Sequence, residues 1–329
     1  MIHTSADALR SSYLLRRLLA PLLSLVLIGG LATACSSDDS DSKPGEASTS
    51  DDSYYPHTMA TRFGDVTIEK KPERVLALGG TVADRLISLG VTPAAVEVDP
   101  STVDSELPWI ADDIRAISRA EMSIYGDTNY EAIADFQPDL IVGLVTKDDQ
   151  ASRLSSIAPL VTPAGKDTNP GWQEQLTTTA EAVNAQDEAN SLINQAENSW
   201  REVGSSAQVT NGKTYNFVAY SENGYSYGNG SIFRMIGLEP NQKDTMGLDT
   251  LAKENVGELD ADFLVIWTQE QSQIDEMKKD SRFNSLPAVR SGNVVFADTA
   301  MANAINSPAP MALDWLLDKL TPSIEALGR

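Results

Sequence analysis

One helical stretch near the middle of the chain constrains the fold more than any other feature. Apolar residues recur along residues 187–203 in steps of three, four and seven, which places them on one face of an α-helix whose other face is polar. Asp187 is a favourable N-cap and Gly204 is favourable just past the C-terminus, so both ends of the helix are predicted. Blocks of alternating strand-like and helix-like segments lie on each side. This order predicts two α/β lobes joined by one rigid helix, although a single α/β domain with an ordinary amphipathic helix fits the periodicity equally well.

The composition excludes several classes of site. The 329 residues include 47 acidic and 25 basic side chains, and the net charge of −22 disfavours nucleic acid and broad adhesion to an anionic membrane. The single cysteine, Cys35, rules out an intrachain disulfide. Both histidines, His3 and His57, precede the predicted strands and helices. We therefore expect no histidine-ligated metal, histidine-ligated haem or histidine-based catalytic triad in the lobes.

The N-terminus has the pattern of an export signal. Three arginines between residues 10 and 17 precede the apolar run 18–31, which is short for a membrane-spanning helix and is followed by small residues. Residues 31–35, Leu-Ala-Thr-Ala-Cys, resemble a bacterial lipoprotein signal. That resemblance implies cleavage before Cys35 and diacylglycerol on its thiol, and it places the protein on the outer face of the cytoplasmic membrane. A signal anchor or a plain secretory signal is the alternative.

The remaining segments predict the domain boundaries. Residues 1–34 form the signal peptide, and residues 35–55, which contain almost no apolar side chains, form a flexible tether. Three further parts follow: an N-terminal α/β lobe at 56–184, the connecting helix at 185–206 and a C-terminal α/β lobe at 207–329. Continuous apolar runs such as 140–144 and 263–267 are typical of parallel strands covered on both faces. The predicted fold class is therefore α/β, with two Rossmann-like lobes whose sheets are mostly parallel.

Four segments together resemble the substrate-binding proteins of bacterial ABC importers for iron siderophores, haem and cobalamin. They are residues 74–91, 129–141, 253–262 and 286–294, and the resemblance extends roughly from residue 72 to the end. It implies two lobes on a rigid helix, a monomer with a ligand held between the lobes, and an ABC permease with its ATPase as partners. It also implies that Glu131 and Glu254, one on each lobe, dock on the permease. Ordinary solvated glutamates are the alternative.

The candidate ligand contacts come from loops at the carboxyl ends of the predicted parallel strands, because ligands bind there in such sheets. These loops span residues 79–84, 115–125, 145–147, 220–227, 267–269 and 298–303. The aromatic side chains of Tyr220, Tyr225, Tyr227 and Trp267 suit a bulky, partly apolar chelate, and Thr81 and Tyr125 are further candidates. Arg119, Lys147 or Arg234 could face an anionic chelate. Each of these side chains could instead pack a loop or lie on a solvated face.

A ferric siderophore is the predicted ligand, because it brings its own iron ligands and needs no metal-binding side chains. Cobalamin and haem ligated by tyrosine also need no histidine, so both stay open. An α/β enzyme acting on a small extracellular substrate is the alternative from another class. No nucleophile–base pair, metal cluster or phosphate-binding loop in the sequence supports it. We therefore predict no catalytic residue, no metal ligand and no cofactor besides the lipid on Cys35.

Overall fold

The computed structural model describes residues 53–117, 123–124, 127–209, 212–241 and 250–328. These residues belong to one compact unit that begins at Ser48. The predicted signal peptide, Cys35 and nearly all of the predicted tether lie outside the described residues. Within the described ranges, no helix has the combination of length and apolarity that crossing a bilayer requires.

The first half of the molecule is built on a four-stranded parallel sheet. Its strands, together with two small hairpins, are β1 (His57–Thr61), β2 (Gly64–Ile68), β3 (Val75–Ala77), β4 (Ala95–Val96), β5 (Ser123–Ile124), β6 (Asp127–Thr128), β7 (Leu140–Val142) and β8 (Leu160–Val161). The parallel sheet has the order β4-β3-β7-β8, and β1–β2 and β5–β6 form separate antiparallel pairs. Because β1 begins at His57, this histidine belongs to the folded lobe, contrary to the prediction that it precedes the first strand.

The helices of the first half cover this sheet. They are α1 (Gly80–Ser88), α2 (Val103–Glu106), α3 (Ala111–Ala116), α4 (Tyr130–Phe136), α5 (Asp148–Ser155) and α6 (Trp172–Ala182). The buried strands β3 and β7 are fully apolar, which fits a parallel sheet shielded on both faces. This half therefore has the predicted α/β architecture.

The predicted central helix is present as α7 (Gln186–Ser206), and its apolar face is buried, including Leu192 and Trp200. Both predicted capping residues are wrong, although the helix ends within one residue of the predicted range 185–206. Asp187 lies in the first turn rather than at the N-cap, and the helix continues through Gly204. A Cβ atom at Gly204 would lie 2.4 Å from the carbonyl oxygen of Ile236, so this glycine permits close backbone packing and does not end the helix.

The second half contains a separate six-stranded mixed sheet. Its strands are β9 (Thr214–Ser221), β10 (Gly224–Tyr227), β11 (Glu239–Pro240), β12 (Thr250–Leu251), β13 (Phe263–Trp267) and β14 (Val294–Ala297). β9 pairs in parallel with β11 and β13, and β13 with β14, whereas β10 is antiparallel to β9 and β12. The predicted loop 220–227 contains β10, because a tight turn in which Asn223 N donates to Ser221 Oγ (3.2 Å) returns the chain along β9.

The second half also contains five α-helices and two 3₁₀ helices among the described residues. They are α8 (Gln271–Lys279), α9 (Ser281–Asn284), α10 (Pro287–Ser291), α11 (Thr299–Asn306) and α12 (Pro310–Leu327), with 3₁₀ helices at Ser231–Ile236 and Lys253–Leu259. α12 continues through Pro322. α7 packs against α6 from the first half and against the 3₁₀ helix Ser231–Ile236 from the second, so it connects two halves that each have their own sheet.

The last helix, α12, packs back on α7 and on α1 of the first half. The carboxylate of Asp84 in α1 accepts hydrogen bonds from the backbone N–H groups of Met311 and Ala312, each 3.0 Å long. It also accepts one from Trp109 Nε1 (3.0 Å) and one from Ser88 Oγ (3.1 Å). A fully buried side chain therefore caps a helix from the other end of the chain. The domain boundaries given above remain a prediction.

We expect the free energy of unfolding to rise as the pH falls from 7.5 to 5. Burial raises the pKa of Asp84 to about 6, and burial together with the neighbouring Asp84 and Asp318 raises the pKa of Asp314 to about 6. The folded chain therefore holds protons that the unfolded chain releases above about pH 4, so this stabilisation is present at low pH and is lost as the pH rises through about 6. Each carboxyl contributes about 1 kcal/mol over this interval, measurable by urea unfolding.

The matched variants for this pH effect are Asp314→Asn and Glu325→Gln, both in α12. Asp314→Asn should remove about half of the pH dependence, whereas Glu325→Gln, at an exposed position, should leave it unchanged. An unaltered pH response in Asp314→Asn would contradict the assignment.

Candidate functional site

A cavity of about 580 Å³ lies between the two halves. Most of its lining comes from the first half. These residues follow β3 and β4, belong to α2 and its flanks, or, in the case of Thr128, lie on β6. The end of α11 contributes the residues from the second half. The full lining is Gly80, Thr81, Glu97, Val98, Asp99, Thr102, Val103, Glu106, Leu107, Thr128, Asn303, Asn306 and Ser307. The cavity therefore lies at the carboxyl ends of parallel strands, where ligand sites of such sheets are expected.

The turn from β3 into α1 forms one wall of the cavity. Gly79 has φ 102° and ψ 157°, a conformation that a side chain would strain, and it directs the chain from the sheet into the helix. Gly80 and Thr81 of the first helical turn line the cavity. The backbone N–H groups of a first turn have no partner within the helix, so this wall offers hydrogen-bond donors, together with the Thr81 hydroxyl.

Glu97 and Asp99 place two carboxylates of different environment on the same wall. Glu97 follows β4, and its backbone N donates to Ala77 O (2.9 Å). Thr128 hydrogen-bonds to the Glu97 carboxylate, and burial raises the pKa of Glu97. Asp99 is exposed and accepts from Ser101 N (2.9 Å) and Ser101 Oγ (2.7 Å), which lowers its pKa. Ionisation therefore costs more free energy at the half-buried Glu97 than at the exposed Asp99.

Asn306 connects the second half to the first at the edge of the cavity. Its Oδ1 accepts from Asn229 N (3.0 Å), and its backbone oxygen accepts from Asn169 Nδ2 (3.3 Å). Asn169 precedes α6 in the first half, and Asn229 follows β10 in the second. Asn303, one turn earlier on α11, also lines the cavity. These side chains provide neutral amide groups opposite the carboxylates.

Of the predicted ligand contacts that fall within the described residues, only Thr81 belongs to the lining. Arg119 and Tyr125 lie outside the described residues. Lys147 is exposed where α5 begins, and it does not line the cavity. Arg234 is also exposed, and its Nη1 lies 3.6 Å from Glu239 Oε2. The prediction that Lys147 or Arg234 faces the ligand is therefore not supported by their positions.

The predicted aromatic cluster lies in the core of the second half rather than in the lining. Tyr220 and Tyr225 are 5% and 3% exposed, and their ring centroids lie 4.8 Å apart. They are paired residues on the antiparallel strands β9 and β10, so both side chains lie on the same face of the sheet. Tyr227 packs against the same core cluster. Trp267, half-buried at the end of β13, packs on the main core, and its Nε1 has no hydrogen-bond partner among the described residues.

The two predicted docking glutamates are both exposed. Glu131 lies in the first turn of α4, whose N-cap is Asn129, since Asn129 Oδ1 accepts from Ala132 N (3.0 Å). Glu254 lies in the first turn of the 3₁₀ helix Lys253–Leu259, and its backbone oxygen accepts from Arg282 Nη1 (3.1 Å). Their role in docking stays a prediction.

Glu97, Asp99 and Glu106 were missed in the sequence, although a signal for two of them was available. β4 ends at Val96, so the rule that selects loops after parallel strands also selects 97–99. Glu106 belongs to the four-residue helix α2, which has no usable periodicity. Within the described ranges, no three histidine, cysteine or carboxylate side chains are grouped closely enough to hold a metal ion.

Comparisons with known proteins place these features in context. A family model described as periplasmic binding protein matches residues 75–300, which include parts of both halves and the whole of α7. YfiY of Bacillus subtilis, a probable siderophore-binding lipoprotein, is 26% identical over 310 residues, covering 88% of this chain and 92% of the relative. The Fe(3+)-citrate-binding protein YfmC of the same organism is 25% identical over 292 residues, covering 86% and 90%. A crystal structure of a periplasmic solute binding protein from Mycobacterium smegmatis has a TM-score of 0.71 at 25% identity, covering 83% of this chain and 98% of that chain.

Proposed function

Because this chain belongs to the periplasmic binding protein family, we propose that it captures a ferric siderophore between its two lobes and delivers it to an ABC import permease. The cavity of about 580 Å³ between the halves is the observation that supports this function most directly. Its volume is within the range of small-molecule sites, and its lining combines three apolar side chains with nine polar ones that can orient a ligand. The permease and its ATPase are the proposed partners.

A preformed iron chelate is the ligand class that this lining suits best. The hydroxyl of Thr81 and the amides of Asn303 and Asn306 can hydrogen-bond to chelate oxygens, and the chelator itself coordinates the iron. The two Bacillus subtilis relatives are described as siderophore-binding and Fe(3+)-citrate-binding. Arg119 and Tyr125, which lie outside the described residues, remain proposed contacts, both as hydrogen-bond donors to chelate oxygens. The proposed activity is binding and release without chemical change of the ligand.

The N-terminal signal supports an anchored, extracytoplasmic location for this activity. In the proposed mature protein, Cys35 carries the lipid and residues 35–55 form the tether to the folded lobes. The folded part then lies at the outer face of the cytoplasmic membrane, where it can meet both the ligand and the permease. One of the two relatives is described as a lipoprotein.

Titration of the purified protein with ferric siderophores is expected to quench its tryptophan fluorescence saturably. Coloured ferric chelates absorb the light that tryptophan emits. Trp267 lies at the carboxyl end of β13, and β13 pairs with β14, the strand that precedes α11 at the cavity. The expected dissociation constant is about 1 μM or below. Trp267→Phe should reduce the amplitude while leaving the midpoint unchanged, and mass spectrometry should recover the ligand intact.

The same titration discriminates between the alternatives. If only haem or cobalamin gives a saturable response, the ligand is that compound and not a siderophore, and the transport function stands. A flat response to siderophores, haem and cobalamin would contradict the proposed function, and conversion of the ligand would favour an enzyme.

A further inference from the structure

The side chains that line the cavity give it a negative charge, and this charge affects which chelates can bind there. Its described lining contains three carboxylates, on Glu97, Asp99 and Glu106, and no lysine, arginine or histidine. The nearby cation Arg115 forms ion pairs with Asp104 and Asp112, both outside the lining. A cleft lined by one sign of charge focuses the field of the surrounding protein, and this chain has a net charge of −22.

Glu97 is the carboxylate best placed to read a positive group. It is half-buried, and its position at the end of β4 is fixed by the hydrogen bond from its backbone N to Ala77 O (2.9 Å). Thr128 hydrogen-bonds to its carboxylate, and Thr128 Oγ1 in turn accepts from Gln150 Nε2 (3.4 Å). Among the described residues no cationic side chain pairs with Glu97. An ionised carboxylate that is partly desolvated gains more from an incoming cation than an exposed one does.

We propose that the cavity selects ferric chelates that carry a positively charged group, such as an ammonium, and that Glu97 is the residue that determines this preference. This inference rests on the proposed function. The cavity and the family support the presence of a ligand site, and the carboxylates determine only which ligand charge that site prefers. Polyanionic chelates such as ferric citrate are disfavoured, since they would meet the carboxylates of Glu97, Asp99 and Glu106. The neutral side chains of Thr81, Asn303 and Asn306 can hydrogen-bond to an oxygen of any chelate, so they do not create the charge preference.

Two chelates with the same iron shell test the proposal. Ferrioxamine B is a ferric trihydroxamate with a free ammonium group, and N-acetylation of that amine removes the charge while leaving the hydroxamates unchanged. In fluorescence titrations at low salt, the protein should bind ferrioxamine B about tenfold more tightly than the acetylated form, and ferric citrate more weakly than either. The preference should shrink as sodium chloride is added.

Substitution of Glu97 tests whether this residue determines the preference for the charged chelate. Glu97→Gln should reduce the ratio between the two trihydroxamates to about twofold, through weaker binding of ferrioxamine B alone. The matched control Glu69→Gln, at an exposed position on β2's C-terminal side, should leave the ratio unchanged. Equal affinity for the two trihydroxamates, or tighter binding of ferric citrate, would overturn the charge preference while the proposed function stands. Failure of all three chelates to bind, together with haem and cobalamin, would overturn both.

Discussion

Reversing the charge of Glu131 and Glu254 together is expected to reduce uptake of the ferric chelate by roughly 100-fold, because like charges brought together at an interface cost several kcal/mol. Both side chains are exposed and lie on different lobes, so arginine at both positions would repel, at both contacts, the basic side chains that would pair with docking glutamates. Ligand affinity should stay unchanged, since neither residue lines the cavity. The measurement is iron uptake in cells that lack the native copy, with fluorescence titration of the purified variant.

The control for this double reversal is a variant with the same change in net charge elsewhere. Glu69→Arg with Glu188→Arg alters two exposed carboxylates, one of which lies in the first turn of a helix as Glu131 does. Both double variants should lose similar helix N-terminal stabilisation, about 0.5–1 kcal/mol, and be expressed at similar levels. Full uptake by the Glu131/Glu254 variant, or equal loss in the control, would show that these glutamates do not form the docking contact.

Asp84→Ala is expected to destabilise the protein by about 3–5 kcal/mol. The substitution leaves four donors, two of them buried and two partly buried, without their acceptor, and two of the four are N–H groups at the start of α12. It also removes the carboxylate that offsets the charge of Arg85, which is 3% exposed and donates from Nη2 to Gln175 Oε1 (2.5 Å). Urea unfolding at pH 7.5 measures the loss, where the Asp84 carboxyl, with a pKa of about 6, is ionised.

Variants that remove only some of the hydrogen bonds to Asp84 show how much of the lost stability comes from capping α12. Ser88→Ala removes one hydrogen bond to Asp84 and should cost about 1 kcal/mol, leaving both N–H groups of α12 capped. Asp84→Asn keeps the volume but presents an amide that can accept at only one of the two carboxylate oxygens, so its cost should be intermediate. A cost below 1 kcal/mol for Asp84→Ala would mean that α12 does not depend on this carboxylate.

The parts of the fold that could be predicted from the sequence are those specified by local pattern. The spacing of Leu192, Ala196 and Trp200 predicted α7, and the apolar runs around Ile141 and Val265 predicted the buried strands. The ends of α7 could not be predicted, because the role of Gly204 is set by the backbone of Ile236, which is distant in sequence. Local propensity identifies glycine as a terminator, and tertiary packing overrides it here.

The candidate site was less predictable, because its residues share a cavity without sharing a sequence pattern. Tyr220 and Tyr225 were conspicuous as aromatic residues in an aromatic-poor chain, yet their pairing across β9 and β10 buries them in the core. Glu97 was inconspicuous among 47 acidic side chains, and only its position after β4 distinguishes it. Thr81 was found because its loop follows β3 directly.

The contact between Asp84 and the start of α12 also affects when the protein can fold. The residues it joins are 227 and 228 positions apart, so α1 lacks this packing partner until residues 311 and 312 have been synthesised. Native contacts over such sequence separations form slowly, since the loop between them must close first. For a polypeptide that is threaded unfolded through a translocation channel, as the proposed lipoprotein route requires, this delay is useful. A ribosome-bound chain that ends before residue 311 cannot form this contact, so the packing of α12 on α1 waits until that part of the chain has been made.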